Sequence, residues 1–406
     1  MAYWNRAKAQ RFYWGLGGFY TAENLWRTVL LWQILVITHS PLWLAIAVAL
    51  DTAPTVLVGF TGPSWGGKES LSAWLVIEAG IMTVGGIWGM HSAPILVVVA
   101  AINGWYSARI IPLSQSQMMQ AVPKDRVTTA SSRYEISSRI GIVAGPLIAG
   151  GLLATWGGSI TMFTVTGILA LSSGLWTFLS SETAIDAKSS STPFRLREAI
   201  LTVRHDAFLG TALGVRAVAN LSWPAFTLAI PLMTLTVWHA HAIGYGLFRS
   251  VWGISTIIGT LALIPWLTRH LNVAYFFSWL LTGFGFLIIG MSSTYLLALG
   301  MTVIAALGSP LVHVALDTHI GQNIPPRQQS HLFALQRFIM AIVNLLGLGM
   351  VSWALKSQKP TMVLEAAGLF MMAAALWGLT RWNRHKAYLP SHTSPPTRSA
   401  DTSSDI

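Results

Sequence analysis

No cysteine occurs anywhere in the 406 residues. Disulfides, thiolate metal ligands and a cysteine nucleophile are thereby excluded, while the compartment stays open. Charge is scarce as well: Asp, Glu, Lys and Arg make up 10% of the chain, against about 25% in soluble domains. Only 14 of these residues are carboxylates. No H-E-x-x-H, G-x-S-x-G or phosphate-loop motif is present, so nothing points to an embedded enzyme and no cofactor is expected. The amino-terminal M-A-Y-W-N-R-A-K-A-Q-R-F lacks a short apolar core ending in small residues, and no cleaved signal peptide is expected.

What fills the chain instead is apolar. Hydrophobic residues make up 53%, mean hydropathy is +0.57, and there are 19 Trp, a side chain that favours the bilayer interface. About twenty apolar residues cross a bilayer, and the pattern predicts spans near 12–38, 41–62, 71–90, 94–118, 128–155 and 159–179. Six more are predicted near 208–237, 244–266, 272–290, 294–322, 330–355 and 361–380. These runs are too long for barrel strands, which leaves helices as the structures able to satisfy their own backbone in lipid. The Ser-rich S-S-E-T-A-I-D-A-K-S-S-S-T-P-F-R-L-R marks a flexible bridge. The reading therefore divides into an N-terminal six-helix bundle (1–182), a cytoplasmic linker (183–206), a C-terminal six-helix bundle (207–387) and a disordered cytoplasmic tail (388–406).

The net charge of +11 raises the question of nucleic acid, but its placement answers it differently. On the side of both termini fall Arg6, Lys8, Arg11, Lys68, Lys124, Arg126, Lys188, Arg195, Arg197, Arg204, Arg269, Arg327, Arg381, Arg384, Lys386 and Arg398. Opposite lie Lys356 and Lys359. Basic loops stay in the cytoplasm, so both termini are expected there, in a plasma (inner) membrane, with the basic balance serving topology rather than nucleic acid.

Two stretches share a plan. From Ser107 to Leu153 an apolar helix, a basic turn opening with proline and a glycine-bearing helix follow one another, and Gly308 to Leu355 repeats the order. With Pro123 laid on Pro325, Gln120 meets Gln322 and Gly145 meets Gly347. The first span's T-A-E-N-L is likewise echoed by A-V-A-N-L after Arg216. Repeats half a chain apart in an apolar protein point to two similar halves.

Specific motifs then carry a resemblance. T-H-S-P-L-W-L-A-I-A-V-A-L-D-T-A-P (38–54) resembles the first-to-second helix turn of major facilitator superfamily efflux proteins. I-P-L-S-Q-S-Q-M-M-Q-A-V-P-K-D-R-V (111–127) resembles their fourth helix and the loop after it. G-I-V-A-G-P-L-I-A-G-G (141–151) resembles their fifth-helix antiporter motif, here Gly141, Gly145, Pro146, Gly150 and Gly151. The branch is the one holding macrolide-efflux and enterobactin-exporter proteins. The resemblance implies an all-α membrane protein, twelve transmembrane helices in two pseudo-symmetric six-helix bundles. It departs from the family at 59–70, where Gly66 and Gly67 replace the usual Asp-Arg, and at Gln329, Ser330 and His331, where Arg-Gly-Arg is common.

Charged groups inside the spans are the candidate site. A charge at the bilayer centre costs about 3 kcal/mol or more, so such groups face a cavity or a partner. Glu23 and Arg27 are one turn apart and can pair, and Glu23 falls where the resembled family often has an acid. Asp51 precedes Pro54; it either takes part in transport or caps backbone freed by the proline. Glu78, in a span peripheral in the resembled fold, reads as a structural bond. Arg109 and Arg216 are deep cations suited to an anionic or zwitterionic substrate, or else partners of Glu23 and Asp51. His313 and Asp317 share a helical face while His319 does not, so a protonatable pair is expected rather than a metal site. Pro146 would bend the fifth helix, and the glycines would let helices approach closely. Together these readings point to a secondary transporter that moves a small amphiphilic, drug- or siderophore-like molecule outward against protons, in the lipid bilayer and as a monomer. Uptake or facilitated transport of a polar metabolite, or a non-transporting sensor on the same fold, are the alternatives.

Overall fold

Proline and left-handed backbone set the first hairpin of the chain. In the computed structural model, which describes residues 5–61, 71–122, 127–177, 196–267, 271–324 and 326–388, helix α1 runs Arg6–Thr38 and α2 Pro41–Thr61. The Asn5 side chain caps α1 by accepting from the Lys8 amide at 2.9 Å. At its other end His39 adopts φ 47° and its N–H bonds to the Leu35 carbonyl, while Pro41 opens α2 with a preset φ. This is the T-H-S-P stretch, and its reversal places α2 beside α1.

The remaining elements are α3 (Leu71–Trp88), α4 (Ala93–Ala121), α5 (Val127–Thr155), α6 (Gly157–Trp176), α7 (Leu196–His205), α8 (Ala207–Thr236), α9 (His241–Leu267), α10 (Leu271–Met291), α11 (Tyr295–Asn323), α12 (Pro326–Ser357) and α13 (Pro360–Tyr388). Twelve of these helices are long, and they stand where twelve spans are expected, with α1 and α13 reaching further into polar sequence. Among the described residues, nine are long and apolar enough to cross a membrane by length and composition. The other three are α1, which holds Glu23 and Arg27, and the helices α2 and α9. The amphipathic α7 and Asp206 fall within the stretch read as a linker; its residues 183–195, the tail beyond 388 and Gly66 and Gly67 lie outside the described residues.

Packing repeats after six spans. In the first half α1 packs on α5 and α6, α3 on α6, and α2 on α4. In the second half α8 packs on α12 and α13, α10 on α13, and α9 on α11. The details repeat as well: a Cβ on Gly145 would lie 2.7 Å from the Leu25 nitrogen, and one on Gly347 would lie 2.6 Å from the Leu221 oxygen. Asn24 donates to the Tyr20 carbonyl and Asn220 to the Arg216 carbonyl, both at 2.8 Å. The echo of T-A-E-N-L in A-V-A-N-L is therefore structural.

The halves meet along α5 and α9 and along α2 and α12. Ser250 donates to the Val143 carbonyl at 2.8 Å, Gly246 packs directly on the Pro146 carbonyl, and Trp32 stacks on Tyr245 at 6.1 Å. Helix α5 thus packs through two faces. Gly141 and Gly145 admit α1, while Pro146 and Gly150 admit α9; nothing lies within 4 Å of a Cβ on Gly151.

Candidate functional site

Glycine brings the first cluster together. Gly104 of α4 lies against the backbone of Asp51, so close that a side chain there would strike the Asp51 carbonyl. That approach sets Asn103, the preceding residue, beside the Asp51 carboxylate on α2. Asn103 is fully buried, as is Glu78 of α3; Glu23 is 4% and Asp51 7% exposed. Three carboxyl groups from three helices are thereby gathered around one amide.

The contacts are short. In one orientation the Asn103 amide donates to Glu23 Oε1 and to Asp51 Oδ1, each at 3.3 Å. Turned over, it donates to Glu78 Oε1 at 2.9 Å and accepts from Trp26 Nε1 at 3.2 Å. Ser107, one turn further along α4, donates to Glu23 Oε1 at 2.5 Å. Arg27 spans two of the acids, with Nη2 3.8 Å from Glu23 Oε2 and Nε 3.4 Å from Asp51 Oδ2. Its side chain is 45% exposed, whereas its partners are buried. Glu23 Oε2 and Glu78 Oε2 are buried without a hydrogen-bond partner. Three carboxyls therefore share one guanidinium within the cluster, so full ionisation would leave two uncompensated negative charges away from water. Protons or an incoming cationic group can relieve that imbalance.

A basic group sits in the other half. Arg216 of α8 is buried at 8% exposure and donates from Nη2 to Nδ1 of His313 on α11 at 3.1 Å, while its Nη1 has no hydrogen-bond partner. Asp317 lies within electrostatic reach of Arg216, and Arg139 of α5 within reach of His313. Arg139 also pairs with Glu135 at 3.8 Å and points Nη1 at Thr256 across the junction of the halves, 3.5 Å away. His319 turns away to Asp206, 2.7 Å distant, as its place on the helix requires. Among the described residues, no three His, Cys, Asp or Glu side chains are arranged to hold a metal ion.

The predicted residues are thus sorted into two groups. Glu23, Arg27 and Asp51 come together, and Arg216, His313 and Asp317 come together. Arg109 joins neither through a direct contact: its guanidinium lies 4.6 Å from the Trp105 ring and 5.2 Å from the Trp74 ring. Glu78, read as a peripheral structural bond, lies inside the first cluster. The cluster also holds Asn103 and Ser107, which the pattern of charges does not mark. Their only sequence signal is polarity within A-A-I-N-G-W-Y-S, an apolar span.

A helical membrane protein of two matching six-helix halves, with polar clusters buried in each half, has the architecture of a solute transporter. The family model of the Major Facilitator Superfamily matches residues 20–348, and the chain belongs to that superfamily. It is a transporter. Solved structures share its fold at low identity. One is a POT family transporter in complex with 5-aminolevulinic acid (TM-score 0.73, 10% identity, 93% of this chain and 96% of that one). Another is a bacterial homolog of the human lysosomal transporter Spinster, inward-facing and occupied (TM-score 0.69, 16% identity, 94% and 98%). A third is the nucleoside transporter NupG (TM-score 0.68, 13% identity, 93% and 99%).

Proposed function

We propose that this transporter exports a small amphiphilic molecule carrying an anionic group, by alternating access coupled to inward proton movement. The observation that supports coupling is the cluster of Glu23, Asp51 and Glu78 around Asn103, held by the single guanidinium of Arg27. A proton arriving there removes a buried negative charge, and cargo near the half-exposed Arg27 competes with the acids for it. Either event changes the relative energies of two arrangements of the halves, which is what a ligand must do to move such an equilibrium. Arg216, with one nitrogen unpartnered, supports an anionic group on the cargo, and His313 beside it can accept or donate to the same group. The antiporter-motif helix and the excess of basic residues on the side of the termini support export from a cytoplasm-facing amino terminus in the plasma membrane.

Inverted vesicles test the reading. Accumulation of a fluorescent amphiphilic dye should follow an imposed pH gradient, and Glu23→Gln should abolish that dependence while leaving dye binding measurable. Glu78→Gln should weaken it. Gradient-driven accumulation retained in Glu23→Gln would remove Glu23 as the coupling site and pass the role to Asp51. Accumulation following a sodium gradient instead would keep the cluster and change the ion, whereas equilibration without accumulation would favour facilitated transport.

A further inference from the structure

A groove of 580 Å³ runs between α1 and α5 in the membrane half nearest the start of both helices. It is distinct from the two polar clusters, which face other helices. Its rim is Trp14, Ile136 and Ile140, 72%, 61% and 53% exposed, and the exposed apolar stripe continues up α5 through Leu147. In a chain that spans a membrane, such a stripe faces lipid. The floor is Gly17, where a Cβ would meet only the Ser137 carbonyl at 3.7 Å, so the missing side chain keeps the groove open.

The groove changes character along its length. Its mouth, towards the helix starts, is lined by Arg6 and Arg133. No Asp or Glu is among its described lining residues. Tyr13 closes the wall beside Arg133 by donating to the Ala130 carbonyl at 3.3 Å. An apolar trough within the bilayer that ends at two guanidinium groups matches one kind of molecule in both parts: acyl chain along the trough, phosphate at the arginines.

We propose that this groove is a binding site for an anionic phospholipid of the leaflet on the side where α1 begins. Arg6 and Arg133 hold the headgroup phosphate, and Gly17 makes room for a chain against Ile136 and Ile140. Trp14, at the rim, marks the depth of the interface. The lipid joins α1 to α5 along a face where their own packing opens.

Native mass spectrometry of detergent-purified protein supplied with phosphatidylglycerol or phosphatidylcholine of equal chain length tests the assignment. Phosphatidylglycerol should be retained with roughly a tenfold preference, the scale on which two basic side chains favour an anionic lipid. The double variant Arg6→Gln, Arg133→Gln should abolish the preference, since both residues are exposed and their loss leaves the core untouched. Gly17→Leu should reduce retention of both lipids by filling the trough. Equal retention by the unaltered protein would overturn the proposal, as would a preference surviving the double variant or retention unaffected by Gly17→Leu. A lipid-independent dimer broken by Gly17→Leu would assign the groove to a second copy of the chain and overturn it too.

Discussion

A primary amide offers hydrogen-bond donors on one side and an acceptor on the other, and Asn103 has carboxyl groups near both. The two orientations of the amide bond different carboxyl groups, so one neutral residue stands among three acids. The cost of burying charge made Glu23 and Asp51 visible in the sequence as soon as their spans were drawn. The same cost applies to Glu78, although the resemblance places its span at the periphery of the fold. Asn103 and Ser107 carry no charge, and an uncharged polar residue within a span gives almost no warning. Arg109 illustrates the opposite difficulty: its charge is conspicuous, but the indole faces of Trp74 and Trp105 beside it come from two helices. A second residue-scale expectation concerns Asp206, just before α8. Burial raises its pKa, but the hydrogen bonds from His319 and the Leu209 amide outweigh that and hold it below the usual value. A carboxyl lowered in the folded state stabilises the fold above its unfolded pKa of about 4 and ceases to as pH falls through the lower folded value. Thermal unfolding in detergent should therefore show a stability loss below about pH 4 that is absent in Asp206→Asn. Asp206→Ala should also lower stability at neutral pH by about 1 kcal/mol through loss of the helix cap.

At the scale of the element, α5 shows why a glycine motif is not uniform. Gly145 meets the backbone of α1, while a Cβ at Gly151 would enter open space. Leucine at position 145 must push two helices apart, whereas leucine at 151 is accommodated. Gly145→Leu should accordingly lose transport, and Gly151→Leu should retain both transport and folded yield in membranes. Equal loss in both would mean that the motif tolerates no side chain for reasons other than helix approach. The two faces of α5 were legible only in part. The spacing of Gly141 and Gly145 marks a close-packed stripe, but the partner of the stripe, α1, depends on the order of helices in the bundle. The close fit of Gly246 on Pro146 needs the second half of the chain and has no local signal.

For the whole molecule, the count and placement of the spans came from composition and run length. Those physical quantities survive any error in helix boundaries. The paired halves were legible from Gly145 with Gly347 and from T-A-E-N-L with A-V-A-N-L. What the sequence could not convey was the convergence of Glu23, Asp51 and Glu78, from three separate helices, on Asn103. The absence of cysteine makes topology testable at this scale. His205 and Ser293 are both exposed, near the starts of α8 and α11, at opposite ends of the helices that separate them. Single cysteines at the two positions should label from opposite sides of a sealed vesicle, with His205→Cys reacting from the cytoplasmic side. Labelling of both from the same side would contradict twelve crossings.

The bond from Asn24 to the Tyr20 carbonyl has its twin in that from Asn220 to the Arg216 carbonyl, yet Glu23 stands in register with Ala219. What recurs is a bond from an asparagine to the backbone of its own helix; the carboxylate beside it occurs once. A chain descended from the doubling of a smaller ancestor would be left in this condition, with inherited joinery kept in duplicate and one copy released to acquire a different trade. On that history, Arg216 and Tyr20, which occupy the same place in their respective copies, mark where the two descendants parted.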